Sequence, residues 1–444
     1  MKLRPSVLAP CVVLSGLSPA YASGFALEAQ AAKAIGGALA GAQAERGAPG
    51  FSTFNPAAIV GVDGLAISAS AIGLIVDSGF ENSSGQLLGA FPVGGEAAGN
   101  GVTEDAFIPS LSMAAPLNDR LFVGLSVNAP FGLATSYGET SIPRYHALET
   151  ELTTLSVTPV LGLKLNERIS LAAGPRIQRL DFLASGANDA AGIAAALGAV
   201  GFTPGTDDST FRVEGDDMAV GFVAGAQVAV SDRLDVGFSF TSKITHDFEG
   251  EGTFDNDGSV AAQTVAAVAG TLQDSPFQTE IVTPASFQLG AQIEMTPELT
   301  LLASTVFTRW SSFETVTIDF ENPVQPNEVL TQDWRDTWAF SGGVDWRATP
   351  RDSFRAGVMF EETPVNDFFA SPRIPDSDRL WLTAGYSRKL SDTFTLHTSA
   401  AYIRLDDRPI AFTGGLPENQ FRGAFSTDFQ SSAVILSVGL DVTL

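Results

Sequence analysis

Residues 433–444 read Ala-Val-Ile-Leu-Ser-Val-Gly-Leu-Asp-Val-Thr-Leu. Val434, Leu436, Val438, Leu440, Val442 and Leu444 fall on one face, and Ser437, Gly439, Asp441 and Thr443 on the other. A period of two sends successive side chains to opposite sides of a sheet, so this stretch is a strand with one apolar face. The pattern recurs upstream. Leu234, Val236, Phe238 and Phe240 alternate with Asp235, Gly237, Ser239 and Thr241. Leu121, Val123, Leu125, Val127 and Ala129 alternate around Gly124, Ser126 and Asn128.

Between the strands the connections are of two kinds. Short polar turns stand at Asn118-Asp119, Asn166-Glu167, Ser231-Asp232, Thr296-Pro297, Ala348-Thr349-Pro350 and Ser391-Asp392. Long segments lie near 78–104, 134–150, 184–210, 249–275, 320–330, 362–376 and 407–430. Six turns and seven loops need fourteen strands. Outer-membrane barrels have this asymmetry, with short periplasmic turns, long external loops and an even strand count. A soluble β-sandwich alternates in the same way. The length of the chain, a final strand that runs to the last residue and the unequal connections favour the barrel. In lipid the sheet must close, because an open edge leaves backbone groups unpaired. Charged residues gather at the turns (Arg120, Arg168, Arg233, Arg351 and Asp392), where they avoid the roughly 2–4 kcal/mol cost of a lipid-facing cation at the midplane.

The first residues read as an export signal. Lys2 and Arg4 precede the short apolar run Val7–Leu17, and Ala20-Tyr21-Ala22 is a small-x-small cleavage site. The mature chain is expected to begin near Ser23 or Gly24, and the divisions are a removed signal peptide (1–22), a distinct segment (23–60) and the strand region (61–444). Cys11, the single cysteine, would leave with the signal, which excludes disulfides and thiol chemistry from the mature chain. No window holds about 18 uninterrupted apolar residues, so spanning helices are not expected. A net charge of −25 argues against nucleic acid as a partner.

Residues 24–60 break the alternation. Gly36, Gly37, Gly41, Gly47 and Gly50 are interspersed with alanines, and the stretch ends in Phe54-Asn55-Pro56-Ala57-Ala58-Ile59. It reads either as a loose tail or as a plug inside the barrel. Fourteen strands enclose more space than inward side chains fill, which favours the plug.

With these elements in place the chain resembles the FadL/TodX family of outer-membrane transporters for long-chain fatty acids and other hydrophobic compounds. The resemblance is carried by Gly24-Phe25 and the glycine-alanine run, by Asn55-Pro56-Ala57, and by Ile108-Pro109-Ser110 through Phe131-Gly132-Leu133-Ala134-Thr135. Glu362-Thr363-Pro364-Val365 and Ile374-Pro375-Asp376-Ser377-Asp378-Arg379-Leu380-Trp381 complete it. It implies an all-β fold, a fourteen-stranded antiparallel transmembrane β-barrel with an N-terminal hatch in the lumen. It also implies a monomer in contact with outer-membrane lipid, and lateral exit of ligand through a kink in the third strand. Pro130, Phe131 and Gly132 are the gate candidates, since proline cannot donate to the ladder and glycine invites a bend. An ordinary strand end at Pro130 is the other reading. Leu444 departs from the pattern, since it stands where such barrels usually carry an aromatic residue.

Ligand candidates follow. Burying each CH2 is worth about 0.8 kcal/mol, so a long acyl chain offers on the order of 10 kcal/mol before costs. Phe25 and Leu27 are expected to line an apolar pocket, Phe25 by the resemblance. A carboxylate head wants a cation, and Arg176 and Arg179 are the candidates. They lie an odd interval apart, so only one can face the lumen. Two outer loops carry helical apolar spacings: Ile193, Leu197 and Val200, and Ala261, Val265, Val268 and Leu272. These faces either pack on each other or form a landing groove. Expected ligands are long-chain fatty acids or aromatic hydrocarbons, with no cofactor, no metal and no nucleic acid. His146, His246 and His397 form no His-x-x-x-His pair, no Gly-x-Ser-x-Gly element is present, and lone exposed histidines read as polar surface, so the chain is not expected to be an enzyme. A general porin for small hydrophilic solutes is the second reading, and an adhesin or structural barrel the third. No nucleotide-binding loop supplies energy, so movement is expected to be passive.

Overall fold

The computed structural model describes residues 23–413 and 419–444; the signal-peptide reading, including Cys11 and the cleavage motif, lies outside the described residues. Fourteen strands make one closed antiparallel barrel. They are β1 (Ala66–Leu87), β2 (Ala106–Pro116), β3 (Leu121–Asn128 resumed at Gly132–Ser136), β4 (Glu149–Lys164) and β5 (Ile169–Asn188). Then come β6 (Ser209–Ser231), β7 (Leu234–Thr241 and Ile244–Asp255), β8 (Ser275–Thr283 and Ser286–Thr296) and β9 (Leu299–Thr308 and Thr315–Phe320). β10 (Thr337–Arg347), β11 (Asp352–Glu361), β12 (Arg379–Lys389), β13 (Phe394–Leu405) and β14 (Ala424–Thr443) complete the wall. Each pairs with its sequence neighbour, and β1 closes on β14 from Ala66↔Thr443 to Gln86↔Ala424.

All six short turns fall between strands as expected. The long loops begin later than hydropathy suggests. β1, β5 and β7 run on to Leu87, Asn188 and Asp255, past 78, 184 and 249. Above the membrane both faces of a strand meet polar surroundings, so the sequence there (Asn82-Ser83-Ser84-Gly85) reads as loop while the ladder continues, with Ser84 opposite Ser426.

The lipid-facing surface is banded by rings. Phe222, Phe240, Phe287, Phe307 and Trp338 form a chain of contacts across β6 to β10, with successive centroids 5.4, 4.8, 6.3 and 4.8 Å apart. Near the short turns a second group joins Trp346, Phe354 and Tyr386 at 5.9 and 5.2 Å. From Trp338 to Trp346 a tilted strand climbs about 20 Å along the membrane normal, close to the apolar band of such barrels. No helix among the described residues is long and apolar enough to cross a membrane.

Residues 23–62 lie within the barrel, nearly all buried. They include a short helix α1 (Ala32–Ile35) and three single 3-10 turns. Ile35, Leu39, Phe51, Phe54 and Ala58 pack against the inward side chains Ile72, Ile108, Trp381, Ile403 and Ile435. The segment approaches the wall through its main chain and the Asn55 side chain, and the wall answers with glycine. A Cβ on Gly237 would stand 1.8 Å from the Gln43 carbonyl oxygen, one on Gly225 would stand 1.9 Å from Asn55 Oδ1, and one on Gly385 would stand 2.7 Å from Gly36 Cα. Gly357 and Gly343 meet Gly37 in the same way. Hydrogen bonds finish the seat: Gln227 Nε2 donates to the Glu45 carbonyl at 2.6 Å, and Ser239 Oγ to the Phe54 carbonyl at 2.5 Å.

Gly237→Val is therefore expected to displace the inner segment at a cost of about 1–3 kcal/mol, as overpacking does. The barrel itself should survive, keeping its heat-modifiable mobility on gels, while single-channel conductance rises. Conductance identical to wild type would show that the close approach at Gly237 does not hold the segment.

Candidate functional site

β2 and β3 pair only from Leu111↔Val127 to Pro116↔Phe122. Higher up, β3 is interrupted at Ala129–Phe131, where Pro130 has no N–H to give, and the wall has a gap facing Ala106–Ser110. The N-terminal segment fills it. Leu27 N donates to the Pro130 carbonyl at 2.8 Å, and Gly132 N donates to the Phe25 carbonyl at 2.8 Å, so Ala26 bridges Phe131 like a short extra strand. Gln30 completes the patch: its Nε2 donates to the Ala129 carbonyl at 2.8 Å, and its own carbonyl accepts from Ser110 Oγ at 2.6 Å.

Phe25 is fully buried in an aromatic cage. Its ring lies 5.7 Å from Phe131, 4.8 Å from Trp310, 5.3 Å from Phe313 and 5.6 Å from Trp334. Trp310 and Phe313 come from the interruption of β9, and Trp334 from the loop that follows. Residue 24 must be glycine here: its φ is +63° and a Cβ would stand 2.5 Å from the Trp334 ring. Sequence reasoning missed the cage tryptophans; the only signal was the loss of alternation at Arg309-Trp310-Ser311-Ser312.

Beside the cage lies a cavity of about 90 Å³, lined by Leu27, Glu28, Phe54, Asn128, Phe131 and Arg176, among others. Leu27 therefore reaches the cavity, whereas Phe25 fills the cage next to it. Arg176 on β5 is buried, with its guanidinium carbon 5.5 Å from the Phe131 ring centre. Its Nε donates to Ser156 Oγ at 3.3 Å, and its Nη2 has no hydrogen-bond partner. Among the described residues no carboxylate stands within ion-pair distance of it. Ser156 also accepts from Gln178 Nε2 at 2.9 Å, and Gln178 Oε1 lies 3.1 Å from His246 Nε2. His246 Nδ1 lies 3.0 Å from Asp217.

The remaining candidates are dispersed. Arg179 is on the outer side of the wall, half-exposed and paired with Asp181 at 2.7 Å and Asp216 at 3.5 Å, so the structure does not bring it to the cavity. Asn55 caps the turn Pro56–Ile59: its Oδ1 accepts from Ala57 N at 3.0 Å, and its Nδ2 donates to the Gln43 carbonyl at 2.7 Å and the Ala226 carbonyl at 3.1 Å. In the outer loops α2 (Ala190–Ala196) and α3 (Val260–Ala269) pack on each other through Ala190, Ala191, Ala194, Ala261, Ala262 and Val265. Ile193 packs against this cluster, whereas Leu197 is about half-exposed and Val200 is 92% exposed.

The histidine expectation is corrected. None of the three is polar surface. His146 stacks on Phe412 at 4.9 Å, and His246 is wholly buried. His397 Nδ1 lies 2.6 Å from Ser387 Oγ, and its Nε2 lies 2.9 Å from Asp441 Oδ2. Inward positions on a barrel strand look exposed to a two-state pattern, because lumen and water are both polar.

The family model for the outer membrane protein transport protein (OMPP1/FadL/TodX) matches residues 13–443. A putative outer membrane protein of Neisseria meningitidis serogroup B is 27% identical, with 99% of each chain covered. The long-chain fatty acid transport protein of Escherichia coli O6:H1 is 24% identical over 96% of this chain and 95% of its own. Among solved structures, a Pseudomonas aeruginosa FadL homologue superposes with a TM-score of 0.87 at 23% identity, covering 95% of this chain and 99% of its own. The Pseudomonas putida toluene transporter TodX gives 0.68 at 15% identity, covering 95% of this chain and 100% of its own.

Glu28, facing the cavity from the segment that patches the gap, carries a pH signature. Burial pushes its carboxyl up to about 7, Glu361 adds to the rise, and Arg379 opposes it. A carboxyl raised above its unfolded value stabilises the seated state when protonated, so that contribution is lost as pH rises through about 7. Current fluctuations of a single channel should grow from about pH 5 to about pH 8 in wild type and stay flat in Glu28→Gln. Parallel behaviour of the two proteins would remove Glu28 from the account.

Proposed function

The chain belongs to the OMPP1/FadL/TodX family of outer membrane transport proteins, and from that premise we propose that it carries long-chain fatty acids, or similar hydrophobic molecules, passively across the outer membrane. The observation that carries the reading is Arg176. A buried guanidinium without a carboxylate is costly, and one nitrogen is left with nothing to bond. An anionic head group entering the adjacent cavity supplies what is missing, and the ring cage beside it suits an apolar tail.

At about 90 Å³ the cavity is too small for such a ligand, since small-molecule sites run to roughly 300 Å³ or more. The tail therefore has to take the place of Phe25. Withdrawing Phe25 pulls on the Leu27–Pro130 and Phe25–Gly132 hydrogen bonds, because they share the same short stretch of main chain. In this reading residues 23–60 act as a hatch, Asn55-Pro56-Ala57 anchor its far end, and Pro130, Phe131 and Gly132 are the lateral gate into the bilayer. The exposed apolar side chains on and beside α2 and α3, Leu197 and Val200 included, are the first contact for ligand. The barrel works as a monomer in lipid. No chemical step is required: Ser387 Oγ, the nucleophile of the Ser387–His397–Asp441 line, is buried and already accepts from Arg355 Nη1 at 2.6 Å. The porin reading is disfavoured by the inner segment, which occupies the path a hydrophilic solute would take.

Arg176→Leu should weaken fatty-acid binding by about 2 kcal/mol, roughly thirtyfold, the worth of a charge-assisted hydrogen bond. Binding of an uncharged hydrocarbon of equal length should be unchanged. Native mass spectrometry with both ligands reads the difference. Equal losses for acid and hydrocarbon, or none for either, would sink the head-group role.

A further inference from the structure

At the top of the inner segment the backbone of Ser23 and Gly24 lies against a buried acidic pair. Ser23 N stands 3.4 Å from Glu361 Oε1, and Gly24 N donates to Asp376 Oδ2 at 3.0 Å. Ser23 Oγ donates to the Glu362 carbonyl at 2.9 Å. Ser23, Glu361 and Asp376 are all buried. The charges around them do not balance. Arg379 pairs with Asp376, and its Nε lies 3.7 Å from Glu361 Oε2, giving one cation for two carboxylates. The nearby arginines pair with other carboxylates: Arg408 with Asp367, while its Nε donates to the Asp376 main-chain carbonyl at 2.8 Å, and Arg335 lies 3.9 Å from Asp378. Buried charges are most stable when paired, and among the described residues the nitrogen of Ser23 is the group placed to give this pair a second cation.

We propose that cleavage after Ala22 creates this cation: the freed α-ammonium of Ser23 docks against Glu361, beside Asp376 and Arg379, and locks the inner segment in place. Leader removal is then a final step of assembly as well as of export. An uncleaved or extended chain presents a neutral amide with a single hydrogen, which leaves the acidic pair undercompensated. The glycine at position 24 and the tryptophans against it fix the direction in which the amine arrives.

The test uses the α-amine itself. Purified barrel in mild detergent is treated near neutral pH with an amine-reactive ester, and the N-terminal peptide is read by mass spectrometry. Ion pairing that raises the amine by one pKa unit lowers its reactive fraction about tenfold. The expected result is a peptide starting at Ser23 that labels about tenfold more slowly in the native barrel than after unfolding, with Glu361→Gln restoring the faster rate. Should Glu361→Gln fail to fold, a chain refolded with Gly-Ser ahead of Ser23 serves instead: its single-channel conductance should exceed that of the native start. The proposal is overturned by a mature start elsewhere than Ser23, by equal labelling of native and unfolded protein, by a folded Glu361→Gln barrel that labels as slowly as wild type, or by unchanged conductance in the extended chain. Fatty-acid binding enters none of these readouts, so failure of the transport reading leaves them interpretable.

Discussion

A wall in hydrocarbon has to pair every main-chain N–H and C=O with another main-chain group, and that requirement shapes this molecule more than any side chain does. It forces β1 onto β14. It also makes the break in β3 conspicuous, because Pro130 stops the ladder where lipid would otherwise meet bare peptide groups. The remedy is main chain borrowed from Phe25 and Leu27, which bond to Gly132 and Pro130 as a strand would, while the Gln30 side chain reaches the Ala129 carbonyl. The same few hydrogen bonds thus seal the wall and tie the ring cage to it. In the proposed reading, a ligand that competes for the cage acts on the seal without touching it.

Much of the architecture could be read from residue order. Turn residues between alternating runs located all six short connections, because a tight turn imposes chemistry that hydropathy does not mask. The upper strand ends were not legible: Asn82-Ser83-Ser84 belongs to a strand that water covers on both sides, and only register with Thr427 and Ser426 identifies it. Pro130 and Gly132 announced the interruption of β3. Arg176 and Arg179 illustrate the limit of the pattern. Parity required them to face opposite ways, but nothing local said which one entered the lumen, and it took the pairing of β5 with β6 to set Arg179 among Asp181 and Asp216. The cage was illegible because Trp310 sits in the interruption of β9 and Trp334 in the loop after it, and nothing local says that Phe25, far away in sequence, seats between them.

Charge is distributed by the same logic. The acidic surplus sits on loops and on strand ends above the aromatic band, as with Glu149, Glu151, Asp181 and Glu214. Inside, cations are few and each is bound to a purpose: Arg355 bridges Asp345 and Ser387, Arg379 holds the acidic pair, and Arg176 is left incompletely satisfied. In a chain so poor in lysine, an interior arginine without its acid is a deviation from the pattern, which is why it carries so much of the functional argument.

The glycine seats have a mechanical consequence. A stopper held by side chains packed on a smooth wall can twist or slide by trading one contact for another. Here the carbonyl of Gln43, the side chain of Asn55 and the backbone of Gly36 and Gly37 each enter a notch on a different strand, at Gly237, Gly225, Gly385 and Gly357. Turning the segment about the barrel axis would drive all of them into neighbouring side chains at once. The insert is keyed, not corked. Whatever movement the proposed transport asks of it is left to the residues ahead of Gly36, because everything below is indexed to the wall.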